Sequence, residues 1–317
     1  MIYLAPLQGY TDFIYRNAYS KYYECIDVAV SPFIPMAKGK NGILRIAKDV
    51  LPENNHTMPV IPQLIGNNAE HFIQMASILN DWGYNIINWN LGCPIKNITK
   101  KKRGSGLLPF PELVNEILEK VIPHIPQKLS IKLRLGLNDT DDIFQLIPIL
   151  NDYPLENIII HPRTASQMYE GEIHHNVMQK CIPLIKHKII YNGDIFNLND
   201  FQNIQKIYPE MKTWMIGRGV LLNPLLPSLI KGKQNLSDEK QNEIFLNFIL
   251  EIYHQLKIHK TEKQLMNKIK DYWKFFSKRF LESEKIFKII SHTHSFNEVN
   301  DITKKIFNKE NKKDWST

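Results

Sequence analysis

Eight short apolar runs, spaced along the first 230 or so residues, constrain this 317-residue chain more than any other feature. They span residues 2–5, 27–30, 60–65, 86–90, 130–135, 157–161, 188–192 and 213–217. All are short and rich in Ile, Leu and Val, the pattern of strands buried in a parallel sheet. Amphipathic stretches lie between most of them. Residues 70–79 carry apolar side chains at Phe72, Ile73, Met75, Ala76 and Leu79. The stretch from Pro111 to Val121 opens on a proline and sets Leu113, Val114, Ile117 and Leu118 on one face, as a helix start and a helix face require. Eight strand–helix units over that length predict an α/β fold, a (β/α)8 TIM barrel.

The C-terminal ends of these runs carry polar or small residues. Gln8-Gly9 follows the first, Gln63 lies in the third and Asn90 ends the fourth. Lys132 and Arg134 belong to the fifth, His161 and Arg163 to the sixth. Asn192-Gly193-Asp194 and Gly217-Arg218-Gly219 close the last two. In a barrel these ends meet at one mouth, where catalytic groups from several strands converge. A barrel built only for stability has no need of so many.

The character changes after Pro224 and Pro227. Residues 231–235 read as a linker. Beyond them no strand pattern remains, and three amphipathic helices are expected, around Ile244–Leu256, Leu265–Phe276 and Ile286–Ile290. The expected domains are therefore a barrel over 1–235 and a helical unit over 236–317. The formal charge is 40 − 32 = +8, and the chain from Ser237 onward has 16 Lys/Arg against 12 Asp/Glu, half of that excess. Positive charge of this kind favours a polyanionic partner. No apolar run is long enough for a membrane span, and the N-terminus lacks a signal-peptide pattern. Cys25, Cys93 and Cys181 are too few and too scattered for a disulfide framework or a cysteine metal site. The expected home is the cytoplasm. His174, His175, His292 and His294 lack companion ligands, so no metal is expected.

Taken singly, the mouth residues allow more than one role. The two glycine pairs on the seventh and eighth units fit a phosphate held by backbone N–H groups, with Arg218 adding a charge-assisted contact; ordinary turn glycines are the plain alternative. Lys132, inside an apolar strand, needs a partner, either an anionic cofactor or an internal ion pair. His161 is a cofactor contact or a hydrogen-bonded core histidine. Cys93 lies in a Gly-Cys-Pro turn at the mouth, where a thiol can be nucleophile, redox switch or general acid. A cysteine of ordinary pKa is mostly protonated at neutral pH, and the basic run after it is expected to lower that pKa. That run, Lys96, Lys100, Lys101, Lys102 and Arg103 before Gly104-Ser105-Gly106, is either a solvated loop or a flap over a polyanion. In the helical unit the aromatics are expected in the core and the lysines on phosphates.

Together these residues resemble the tRNA-dihydrouridine synthase family over the whole chain. Ala5-Pro6-Leu7-Gln8-Gly9-Tyr10-Thr11-Asp12, with Arg16, is similar to its N-terminal signature, and Asn90-Leu91-Gly92-Cys93-Pro94 with Lys96 and Gly104-Ser105-Gly106-Leu107-Leu108 to its active-site signature. Lys132-Leu133-Arg134-Leu135-Gly136, His161-Pro162-Arg163-Thr164, Asn192-Gly193-Asp194 and Gly217-Arg218-Gly219 follow in the family's order. The resemblance implies a flavoprotein oxidoreductase that binds FMN, takes electrons from NADPH and reduces specific uridines of tRNA. It implies that Pro6, Leu7 and Gln8 line the flavin. Gln63, Lys132 and His161 would contact its ring and ribityl parts, and Asn192, Gly193, Asp194, Gly217 and Arg218 its tail and phosphate. Asn90 would touch flavin or base, and Cys93 would protonate uracil C5 after hydride reaches C6. Lys96, Lys101, Lys102, Arg103, Arg134 and Arg163 are the expected RNA contacts, on a protein expected to be monomeric. Asn88, Trp89, Gln8, Pro162 and Ser105 depart from the family's usual residues. Two other readings compete: an FMN barrel acting on a free small molecule, and a barrel that binds RNA without turnover.

Overall fold

The computed structural model describes residues 1–233 and 236–308. Gln234 and Asn235 of the expected linker, and 309–317 of the expected helical unit, lie outside the described residues.

Eight strands form the barrel: β1 (Ile2–Leu4), β2 (Val28–Val30, resuming at Ile34–Pro35), β3 (Val60–Ile61 and Gln63–Ile65), β4 (Ile86–Leu91), β5 (Lys128–Gly136), β6 (Leu155–Thr164), β7 (Ile189–Asn192) and β8 (Trp214–Ile216). Every pairing is parallel, and β8 returns to β1 with Ile2 beside Trp214 and Leu4 beside Ile216. Pro62 has no N–H to give and divides β3. Pairing continues on both sides of it, Val30 with Ile61 and Gln63 with Asn88, so the sheet closes. All eight apolar runs are strands. The short resumption of β2 at Ile34–Pro35 had no run of its own in the sequence.

Alternation along each strand separates two environments. Ile87, Trp89 and Leu91 of β4, with Leu129, Ile131, Leu133 and Leu135 of β5, face the outer helices. Tyr3, Ala5, Val30, Ile61, Ile159, Ile190 and Met215 make a second cluster inside the barrel. The alternate positions Gln63, Asn88, Asn90, Ser130, Arg134, Asn157 and His161 are buried too. Polar side chains thus fill the barrel interior on the β3–β6 side.

The expected helices at Ala69–Asp81 and Pro111–Val121 lie side by side in the outer layer, and Phe13–Tyr22 packs against the C-terminal helix Asp238–His259. Beyond the barrel come Asp238–His259, Glu262–Phe276, Ser283–Ser291 and Phe296–Asn308. The last was not legible, because Thr303 interrupts its apolar stripe. That hydroxyl is buried between Val299 O at 2.8 Å and the Tyr253 hydroxyl at 3.0 Å. Thr261 and Gln264 form a capping box that starts the second of these helices.

Barrel and helices share one hydrophobic core. Phe248 meets Tyr15 and Tyr23 edge-on at 5.5 and 5.2 Å. The Tyr272 hydroxyl donates to Tyr10 O at 2.7 Å, and Lys268 Nζ donates to Gly9 O. The loop after β1 is therefore pinned by the C-terminal helices. No described helix is long and apolar enough to cross a membrane.

Candidate active site

The C-terminal ends of the strands surround a cavity of about 420 Å³. Pro6, Leu7 and Gln8 line it from the end of β1, Asn90 and Cys93 from β4, and Lys132 and Arg134 from β5. His161 lines it from β6, Asn192, Gly193 and Asp194 from β7, and Gly217 and Arg218 from β8. Thirteen of the expected residues thus reach a single cavity, brought there from six strand ends scattered over two hundred residues.

The Cys93 turn is held from three sides. Asn90 Oδ1 accepts from the N–H groups of Gly92 at 3.0 Å and Cys93 at 2.8 Å. Arg134 Nε donates to Gly92 O at 3.1 Å. Ser105 Oγ donates to Cys93 O at 2.8 Å. Burial pushes the Cys93 thiol above its ordinary pKa, while the Ile95 N–H, Arg134 and Lys132 pull it down and do not prevail. This corrects the expectation that the basic run lowers it. The cations acting on the thiol are Arg134 and Lys132; the run at 100–103 is exposed, where solvent and salt screen it.

Lys132 lines the cavity, and burial, reinforced by Arg134, lowers its pKa to about 7. Burial, with Arg134, Lys132, Arg163 and Arg218 around it, holds His161 well below the usual histidine range. His161 is therefore neutral. Arg163 Nη1 lies 3.4 Å from His161 Nε2, and a guanidinium can only donate, so Nε2 accepts and the ring proton sits on Nδ1.

At the far end, Asp194 bridges two arginines, Arg163 at 2.5 Å and Arg218 at 2.7 Å. Burial works against its charge, but the Arg163 hydrogen bond and both guanidinium charges bring its pKa below the carboxylate norm. Arg218 is also flanked by the rings of Tyr169 and Phe196, 4.9 and 5.0 Å from its guanidinium carbon. Gly219 passes so close to Ile195 that a Cβ there would stand 2.0 Å from the Ile195 oxygen. The β7 and β8 loops can meet only because that residue is glycine.

Other expected contacts lie elsewhere. Gln63 is fully buried and does not line the cavity; its amide is spent on Asn88 and Asn90. Arg163, expected on RNA, is buried and engaged with Asp194 and Gly171 O. Lys96, Lys101, Lys102 and Arg103 stand outside the cavity on an exposed segment, with Lys102 over the Phe110 ring at 4.0 Å. In the helical unit Tyr272 and Trp273 are core, as expected. Lys268 is tied to Gly9 O, so it is not an open phosphate contact, whereas Lys274 makes an exposed surface pair with Asp271.

Tyr169 and Phe275 also line the cavity, and no sequence pattern marked them for it. Tyr169 stacks toward His161 at 6.5 Å and lies 5.4 Å from the Arg134 guanidinium. It sits on a loop without periodicity. Phe275 comes from a helix read only for its core, and the one hint was that it falls off that helix's buried face.

The sequence model of the dihydrouridine synthase family matches residues 3–311. The chain belongs to the dihydrouridine synthase family. Among curated relatives, tRNA-dihydrouridine synthase B of Pasteurella multocida is 29% identical over 80% of this chain and 77% of its own. The tRNA-dihydrouridine(16) synthases of Haemophilus ducreyi and Neisseria meningitidis serogroup B are 26% and 27% identical, covering 94% and 95% of this chain and 93% of each relative. Among solved structures, morphinone reductase aligns with a TM-score of 0.52 at 12% identity, over 76% of this chain and 88% of that one. Histamine dehydrogenase from a Rhizobium species gives 0.52 and 12%, over 79% of this dihydrouridine synthase family member and 48% of that chain. At such identity these two share the fold alone.

Proposed function

We propose that this protein reduces the C5–C6 double bond of uridines in tRNA, with FMN as cofactor and NADPH as electron donor. The observation that carries the reading is the placement of a protonated thiol, Cys93, on the same cavity as Lys132, His161 and the Asp194–Arg218 pair. Family membership and the names of the relatives support the substrate.

The residues present fit a flavin. Pro6, Leu7 and Met215 offer an apolar wall. Lys132 lines the same cavity with no carboxylate acting on it, so its ammonium, when protonated, would be free to meet an electron-rich ring. Asn192, Gly193, Gly217 and Arg218 would hold the phosphate, Arg218 being fixed in place by Asp194. His161, neutral and with its proton on Nδ1, would donate to the cofactor. When bound, the flavin supplies the hydride for uracil C6. Cys93 gives its proton to C5, and its raised pKa keeps that proton available at neutral pH. Asn90, Arg134 and Ser105 hold the thiol's turn. The target base must leave its stack to enter so enclosed a site. Lys96, Lys101, Lys102 and Arg103 would contact tRNA phosphates outside the cavity. Residues 236–317 would serve as the tRNA-binding unit beside a 1–235 catalytic barrel.

Purified protein should be yellow and, given NADPH and unmodified tRNA transcript, should form dihydrouridine detectable by nucleoside mass spectrometry. A colourless protein that FMN does not reconstitute would overturn the cofactor. A yellow protein that reduces small enones but never tRNA would overturn the substrate.

A further inference from the structure

Five side chains inside the barrel form one head-to-tail hydrogen-bonded chain that ends on the Cys93 turn. The N–H groups of Cys93 and Gly92 donate to Asn90 Oδ1. Asn90 Nδ2 donates to Gln63 Oε1 at 2.7 Å, and Gln63 Nε2 to Asn88 Oδ1 at 2.8 Å. Asn88 Nδ2 donates to Ser130 Oγ at 2.8 Å, and Ser130 Oγ to Asn157 Oδ1 at 2.7 Å. Sheet register explains the run. Gln63 pairs with Asn88, Asn88 with Ser130 and Ser130 with Asn157, so four side chains sit in one row on the inward face. None of the five is more than 7% exposed.

The direction of this chain is fixed. A backbone N–H can only donate, so two of them occupy both lone pairs of Asn90 Oδ1. Turning the Asn90 amide over would set its NH2 against those donors. Nδ2 must therefore face Gln63, which must answer with Oε1, and each later member is forced in turn. A buried member that reversed alone would leave polar groups without partners, which is costly where no water reaches. Asn90 also lines the cavity. With its oxygen saturated, it has one N–H left to offer there.

We propose that Asn157, Ser130, Asn88 and Gln63 are positioning residues that lock the Asn90 amide in one orientation, so that it braces the Cys93 turn and meets a bound molecule only as a donor. A ring carbonyl oxygen satisfies that donor, and an amino group in the same place does not. The choice of bound molecule rests on the proposed function; the bracing of Cys93 does not.

The test compares Asn88→Leu, Asn88→Ala and Asn88→Asp in the full-length protein. Asn88 lines no part of the cavity. Leucine leaves Gln63 Nε2 without an acceptor, whereas aspartate returns one to the same place and, held protonated by its burial, still donates to Ser130 Oγ. The readouts are the rate of Cys93 alkylation by iodoacetamide from about pH 6 to about pH 10, a range spanning ordinary thiol titration, together with kcat, KM and melting temperature. Peptide mass spectrometry separates Cys93 from Cys25 and Cys181. Asn88→Leu should shift the alkylation profile and lower kcat about tenfold, the equivalent of one lost hydrogen bond, with KM within about twofold. Asn88→Asp should recover most of both. A purely structural role would lower the melting temperature of the Leu and Ala variants and leave the alkylation profile and kcat at wild-type values, and that result overturns the proposal. Should Asn88→Leu fail to fold, Asn88→Ala decides on the same readouts. Wild-type protein inactive on tRNA would count against the proposed function and leave the alkylation comparison intact.

Discussion

The Ser105 hydroxyl donates to the Cys93 carbonyl oxygen at 2.8 Å, and the Ser105 N–H reaches the same oxygen at 3.2 Å. The chain leaving Cys93 thus travels through the basic run and folds back onto its starting point. Gly104 allows the return. Its φ is +56°, and a Cβ there would lie 2.9 Å from the Cys93 oxygen. Ser105→Ala removes one donor and keeps the other, so it should lower stability by about 1 kcal/mol, measured by urea denaturation, with flavin content unchanged. Gly104→Ala meets both the backbone conformation and the close contact and should cost more than Ser105→Ala. The reverse order would mean that the hydroxyl, not the backbone, holds this return.

Burial places the Cys93 pKa above the ordinary thiol value. A proton donor works only while protonated. The rate of flavin reoxidation by tRNA should therefore hold through neutral pH and fall as pH rises through that raised pKa. Stopped-flow absorbance of prereduced protein mixed with tRNA reads this directly. Cys93→Ala should retain the flavin spectrum and lose roughly 10² to 10⁴ in rate. Near-normal turnover in that variant would remove the thiol from the donor role.

Lys132 is shifted the other way, downward, so its protonated form is lost at lower pH than that of Cys93. The Lys132 pKa is lowered to about 7 in the free protein. If its ammonium helps bind FMN, binding raises that pKa, and the contribution is present below about 7 and lost as pH climbs above it. The FMN dissociation constant should therefore weaken between about pH 6 and about pH 8.5, across ordinary histidine-to-thiol titration. Lys132→Met should bind more weakly and show a flatter profile, because the group that titrates is gone. Fluorescence quenching of FMN by protein freed of flavin measures both. Equal pH slopes in the two proteins would assign the titration elsewhere.

Much of this was legible in the sequence because it depends on local periodicity. Eight apolar runs became eight strands, and the polar residues at their ends reached one cavity. Gln63 and Arg163 show where such reading stops. Both stand near strand ends like their neighbours, and only the closed barrel reveals that Gln63 is spent on Asn88 and Asn90 and Arg163 on Asp194. Tyr169 shows the converse. Nothing in its loop marks it, yet three-dimensional closure brings it beside His161, Arg134 and Arg218. Pairing across a barrel is long-range information, and spacing along one chain does not carry it. The helical unit makes the same point. Its aromatics were expected in the core, but spacing alone did not show that this core is the barrel's: Phe248 and Tyr272 pack on Tyr15 of the barrel's first helix. Cutting the chain at 236 would expose that surface, so surface substitutions test its role better than truncation.

The cations divide into two groups with different expected behaviour toward tRNA. Lys101, Lys102 and Arg103 are exposed on the segment that returns to Cys93. Lys268 is held by Gly9 O, and its amine lies 5.7 Å from the Tyr10 ring centre. Each phosphate neutralised by an open cation contributes roughly 0.7 to 0.9 to the log–log slope of affinity against salt. Replacing Lys101, Lys102 and Arg103 together by Ala should therefore reduce the slope by about two to three if all three contact phosphates, with FMN content intact. Lys268→Met should leave the slope unchanged and lower the melting temperature, because it loosens the loop carrying Leu7 and Gln8 instead of giving up a phosphate. Filter binding of tRNA at several salt concentrations, beside a thermal melt, reads both variants. A slope unaffected by the triple change would place the tRNA on another face of the protein.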